Sequence, residues 1–104
     1  MKIQLNPAGH KSLQEFAKVN DLVLEVNERE PEFLAGRKLP RYYVEFQRCE
    51  IKDDYILTSA TGNGDTIEEA LADYAKQISR KQLVFNAYDQ DTRRVIYAPS
   101  LYFE

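Results

Sequence analysis

The stretch that most restricts how this chain can fold is Ile67, Ala70, Leu71, Tyr74, Ala75 and Ile78, apolar positions that recur at helical spacing for about three turns. Thr66-Ile67-Glu68-Glu69 opens it with a capping box, whose threonine and glutamate side chains satisfy backbone donors that have no partner in the first turn. An amphipathic helix of this length must bury one face against something. The segments on either side alternate rather than repeat every three or four residues, so that something is a sheet.

Upstream, Ser12-Leu13-Gln14-Glu15 is a second capping-box pattern and starts a helix over 12–19, with Asn6-Pro7 as an alternative start. Asn20-Asp21 ends it. Leu22 to Asn27 alternates and reads as a strand. From Glu28 to Pro40 the pattern breaks at Pro31, Gly36 and Pro40, giving a loop that Phe33-Leu34 tacks to the body. Arg41 to Ile51 is the strongest strand; it turns at Lys52-Asp53-Asp54 and returns over Tyr55 to Thr61 as an antiparallel partner. Gly62-Asn63-Gly64 is then a tight connection into the second helix. Two further strands, Gln82 to Tyr88 and Arg94 to Ala98, flank a turn at 89–92. Pro99 leaves a short tail over 99–104. The expectation is one α+β domain over 1–104, an antiparallel sheet with two helices in the order α-β-β-β-α-β-β.

The chain has 104 residues, 43% of them hydrophobic and 30% charged, enough for one core and in the range of ordinary globular proteins. Its longest apolar runs are far shorter than the roughly 20 residues of a membrane span. No apolar run near the start suggests export, and the single cysteine forms no intrachain disulfide. These features point to the cytoplasm and away from membranes.

Chemistry is sparse. His10 is the only histidine and Cys49 the only cysteine, so a structural zinc site lacks ligands. Cys49 lies in a strand without a base nearby in sequence and reads as a packing residue. Asp53-Asp54 suits a turn, and Glu68-Glu69 suits the positive end of a helix. Asp65, Glu68 and Glu69 crowd the helix start with negative charge, and no P-loop lysine follows, so phosphate is repelled there. No catalytic residue, metal site or cofactor is indicated, and an enzyme would need a buried, perturbed carboxylate in a pocket.

Net charge is −3, with 14 Lys/Arg against 17 Asp/Glu. Residues 1–52 carry 9 against 8 and residues 53–104 carry 5 against 9. The acidic second half disfavours nonspecific polyanion binding and suits a basic protein surface. Tyr42 and Tyr43 are adjacent in one strand and face opposite sides. One of them, with Tyr55 or Tyr88, marks either an open, interface-forming sheet face or one covered by the other helix or the tail. The residues this selects for a protein partner are Tyr43, Tyr55, Asp65, Glu68, Glu69 and Asp73. The alternative is a nucleic-acid module using Arg37, Lys38, Arg41, Arg93 and Arg94 around exposed tyrosines.

Three resemblances attach to these residues. The α-β-β-β-α order across roughly 12–79 resembles the double-stranded-RNA-binding domain, with Gly62, Gly64, Thr66 and Ala70 at that family's glycine, serine and alanine positions. Its phosphate-contacting lysine positions hold Ile67, Glu68 and Leu71 here. Tyr43 to Phe46, the hairpin to Thr61 and Gly64-Asp65-Thr66-Ile67-Glu68-Glu69-Ala70-Leu71 resemble the HicB-type antitoxins over about 35 residues. Tyr42 to Phe46, Cys49-Glu50, Gly62 to Thr66, Asp73-Tyr74-Ala75 and Leu83 to Tyr88 look like small bacteriophage and prophage proteins. That last resemblance implies a non-enzymatic accessory protein binding a host or phage protein, such as an anti-CRISPR-like or antitoxin-like inhibitor of host defence. It leaves a homodimer open.

Overall fold

The computed structural model describes residues 10–103; the alternative helix start at Asn6-Pro7 and the side chain of His10 lie outside the described residues. Both helices start at the expected N-cap residue. Ser12 Oγ accepts from the Glu15 amide at 3.1 Å and starts α1 (Leu13–Val19). Thr66 Oγ1 accepts from the Glu69 amide at 3.1 Å and starts α2 (Ile67–Ile78), while Glu69 Oε1 reaches back to the Asp65 amide at 3.0 Å. At the end of α1 the Asn20 side chain donates to the Phe16 carbonyl.

The remaining elements are strands: β1 (His10–Ser12), β2 (Leu24–Glu28), β3 (Phe33–Leu34), β4 (Arg37–Lys38), β5 (Tyr42–Phe46), β6 (Cys49–Asp53), β7 (Ile56–Thr58), β8 (Gly62–Gly64), β9 (Gln82–Phe85), β10 (Arg94–Tyr97) and β11 (Ser100–Tyr102). The α+β class holds, with two helices and mostly antiparallel strands. In place of one sheet there are several. β2-β5-β8 and β10-β9-β6-β7 are antiparallel, β3 and β4 pair alone, and β1 runs parallel to β11.

The expected strand over 41–51 divides at Gln47-Arg48. Arg48 is left-handed, with φ +57°, and the Gln47 amide donates to the Val23 carbonyl. This corner sends β5 into one sheet and β6 into the other. Phe46, the last residue before it, packs against Phe16 of α1, Tyr74 of α2 and Phe85 of β9, with ring centroids 6.2, 5.4 and 6.2 Å away. One ring thus joins both helices and both larger sheets, and it is fully buried.

Gly62-Asn63-Gly64 is a strand rather than a turn, paired to β5 with Tyr42 opposite Gly64 and Val44 opposite Gly62. Neither glycine has positive φ. What both positions require is the missing side chain. A Cβ at Gly64 would sit 2.5 Å from the Ala70 nitrogen and 2.8 Å from the Glu69 carbonyl carbon. One at Gly62 would run into the Ala70 carbonyl oxygen and Tyr74. The helix rests directly on the strand backbone, and α2 side chains cover the strand's polar groups. Asp73 Oδ2 accepts from the Asn63 amide at 2.9 Å, and Gln77 donates to the Thr61 carbonyl at 2.8 Å.

The C-terminal residues are built in rather than trailing. β11 buries Leu101, and Ser79 Oγ accepts from the Leu101 amide at 2.8 Å while donating to the Ala75 carbonyl.

Candidate functional site

Between β2 and β5 the chain leaves the body as a hairpin arm. The Arg29 amide donates to the Arg41 carbonyl and the Leu39 amide to the Glu32 carbonyl, at 2.7 and 2.9 Å. Leu34 then pairs with Arg37 across Ala35-Gly36. Both turn residues have positive φ, +52° and +78°, the signature of a type I′ turn whose twist suits a two-residue hairpin. Every residue from Glu30 to Lys38 is exposed. At about 3.3 Å per residue the arm reaches roughly 20 Å beyond Arg29.

The arm ends in apolar side chains. Phe33 is 69% exposed and Leu34 67%, so the expected anchoring of this loop by Phe33-Leu34 is not what occurs. Leaving two large side chains in water forgoes roughly 1.5–3 kcal/mol each of burial free energy, and nothing local repays it. Beside them, the Arg37 and Lys38 side chains make no hydrogen bond or ion pair among the described residues.

The base of the arm is rigidly built. Arg29 stacks over Tyr43 with its guanidinium 4.5 Å from the ring centre, and donates to the Pro40 carbonyl and to Asn63 Oδ1. Arg41 lies over Tyr42 at 5.2 Å and pairs with Glu28 at 2.6 Å; that hydrogen bond and charge raise its pKa above the ordinary value. Arg29, Lys38 and Arg41 share a cleft of about 430 Å³ with Glu28 and Glu30. The arginines therefore do not gather into one basic groove. Arg94 sits on the other sheet and donates to the Asn20 carbonyl, with Arg93 exposed beside it.

The acids selected from sequence have divided roles. Asp65 and Glu68 are exposed at the start of α2, next to the arm base because Gly64 pairs with Tyr42. Glu69 serves the helix cap, and Asp73 holds both the Asn63 amide and the Gln77 side chain. Tyr43 is half-buried under Arg29, whereas Tyr55, at the β6–β7 turn, is 97% exposed.

A second concavity of about 540 Å³ opens between the β5–β6 corner and the segment after β9. Glu45, Arg48, Cys49, Glu50, Ala87, Tyr88 and Asp89 are among its lining residues. Partial burial, then the facing Glu25 on β2, raises the Glu45 carboxyl above its usual range. Burial pushes the Cys49 thiol up to about 12; it stays protonated at neutral pH and is a poor nucleophile. Tyr88, at 88% exposure, stands at the rim. Among the described residues no three metal-ligating side chains converge, and no helix is long and apolar enough to cross a membrane.

From sequence, Phe33-Leu34 had a packing role instead of an exposed one, and Arg29 and Glu45 had no site role. Only Ala35-Gly36, a glycine-containing pair between Leu34 and Arg37, hinted at the arm. No family model, no curated protein and no solved structure matches this chain.

Proposed function

We propose that this chain is a non-enzymatic protein-binding module that presents the arm 29–41 to a protein partner. The observation that carries the reading is the exposure of Phe33 and Leu34 together at the end of a hairpin whose base is fixed by two stacked arginines. Exposed apolar side chains, one on each face of the hairpin end, beside unpaired cations match the composition of an interface anchor with a polar rim. The exposed carboxylates Asp65 and Glu68 near the arm base favour a partner with a basic margin.

The resemblance to phage and prophage proteins extends the proposal to an accessory role against a host macromolecule, with defence machinery as the target class.

Nucleic acid is the second reading, favoured by one observation: a two-stranded ribbon fits the major groove, and apolar wedges can unstack bases. The double-stranded-RNA-binding frame suggested by sequence belongs to this reading. Magnitude argues against it. With only Arg37 and Lys38 free on the arm, the salt slope would be roughly −2, too little to hold a polyanion against a net charge of −3.

Affinity capture from a bacterial lysate with wild type and with Phe33→Asp/Leu34→Asp tests the proposal. The expected result is a stoichiometric protein lost from the variant and retained by Val19→Asp, at an exposed position on α1. Capture unchanged by the arm variant overturns it.

A further inference from the structure

Asn63 is the only asparagine in the chain that a glycine follows. Asparagine before glycine is the pair most prone to lose its side-chain amide, because no Cβ hinders the next backbone nitrogen from reaching the side-chain carbonyl. Packing makes this glycine obligatory here, since a Cβ at Gly64 would lie 2.5 Å from the Ala70 nitrogen. Protection therefore rests on how Asn63 is held. Its Oδ1 accepts from Arg29 at 2.9 Å, and its Nδ2 donates to the Thr61 carbonyl and Oγ1 at 3.1 and 3.3 Å. Its backbone amide donates to Asp73 at 2.9 Å. Gly64 is buried in the ladder opposite Tyr42. Strand backbone has ψ of about +135°, and closing a ring between Gly64 N and Asn63 Cγ needs that bond turned out of the extended range. Of these restraints only Arg29 comes from the arm, and Asn63 itself is half-buried, within reach of water.

We propose that Asn63-Gly64 is a self-modification site that the arm base keeps closed. Once Arg29 leaves Asn63 Oδ1, the side chain turns and the Gly64 amide gives its proton to a solvent base. The Gly64 nitrogen then attacks Asn63 Cγ. A C–N bond forms, the Cγ–Nδ2 bond breaks, and Nδ2 takes up a proton and leaves as ammonia. Water opens the cyclic imide at either carbonyl, giving aspartate or isoaspartate at position 63. The net change turns an amide and water into a carboxylate and ammonium. The new carboxylate keeps an acceptor for Arg29 but has no proton for the Thr61 carbonyl. Isoaspartate also inserts an extra carbon into the β8 backbone, between the residues that pair with Tyr43 and Tyr42. An arm displaced from its base is thereby recorded as a covalent change in the strand beneath it.

Peptide mass mapping tests it. Trypsin cuts after Lys52 and Lys76, and Asn63 is the only side-chain amide in the peptide 53–76, so the mass of that peptide reads this site alone. Native wild type, urea-unfolded wild type and native Arg29→Ala are incubated in mildly alkaline buffer, and circular dichroism confirms which samples are folded. Native wild type is expected to convert more slowly than the unfolded chain by roughly tenfold or more. Folded Arg29→Ala is expected to convert faster than native wild type by roughly tenfold, with isoaspartate detected by enzymatic methylation of the peptide. Arg29→Met keeps the stem over Tyr43 and loses the donors; it takes the place of Arg29→Ala if that variant does not fold. Native wild type converting as fast as the unfolded chain, or a folded Arg29 variant converting no faster than wild type, overturns the inference. These rates do not depend on what the arm binds, so such a result leaves the docking role of the arm standing.

Discussion

The backbone amide of Phe46 donates to the phenol oxygen of Tyr74 at 2.9 Å, a buried hydrogen bond between β5 and α2. Burial raises the pKa of this phenol. Phe46 is the last strand residue before the Gln47-Arg48 corner, so this bond fixes where the strand that carries the arm ends against the core.

Tyr74→Phe keeps the ring in contact with Phe46 and removes only the oxygen. The Phe46 amide is then left without a partner in the core, which costs about 1–3 kcal/mol. Urea denaturation is expected to show a lower midpoint with an unchanged slope. An unaltered midpoint would mean that the bond contributes nothing.

Gly62→Ala forces a methyl into the backbone of α2, where the neighbouring atoms belong to Ala70 and Tyr74 and cannot swing aside. Overpacking of this kind costs about 1–3 kcal/mol and sometimes more. Gly36→Ala meets nothing within 4 Å and strains only the exposed turn. Thermal melts are expected to rank Gly62→Ala well below Gly36→Ala; equal melts would contradict the direct helix-on-strand contact.

Glu45 and Glu25 face each other across antiparallel strands, and the Glu45 carboxyl is raised by burial first and by Glu25 second. The folded chain therefore holds this proton more tightly than the unfolded one. The stabilisation is fully present below the unfolded carboxyl's range and is lost as pH rises through the folded value. Glu45→Gln removes the like-charge pair and is expected to stabilise the chain at neutral pH by about 0.5 kcal/mol. The gain should vanish near about pH 3, where wild-type carboxyls are protonated. Paired melts at the two pH values check the sign; a larger gain in acid would reverse it.

Ala35 holds φ +52° in the arm's turn, a region that costs an ordinary L-residue roughly 1–2 kcal/mol. Asn tolerates it, and Asn-Gly is the favoured type I′ pair. Ala35→Asn is expected to slow hydrogen exchange of the Leu39 amide, which bonds Glu32 within the arm, by about fivefold. Unchanged or faster exchange would mean that the turn does not limit the arm's order.

What was readable in the sequence is what local chemistry decides. Ser12 with Glu15 and Thr66 with Glu69 announce both helices, because the bonds they make lie within one turn. Gly62-Asn63-Gly64 reads as a turn because glycines usually mark one; its actual reason, the approach of Ala70 and Tyr74, exists only once the helix has docked. The parallel pairing of His10 with Ser100 joins residues too far apart for any periodicity to show. The cleft likewise unites 45–50 with 86–89. The arm escaped notice because Pro31, Gly36 and Pro40 break the alternation that marks a strand, and because Ala35 replaces the asparagine that would have marked the turn. Residue types identified the acids, but not that Glu69 and Asp73 would be occupied within the fold.

Photo-crosslinking tests most directly whether the arm is a protein contact. Benzoylphenylalanine placed at position 33, with a control at the comparably exposed Val19 on α1, is irradiated in cells and the adducts are resolved by mass. The expected result is a discrete protein adduct from position 33 and none from position 19. Adducts to nucleic acid alone, or equal yields from the two positions, would contradict a protein-docking arm.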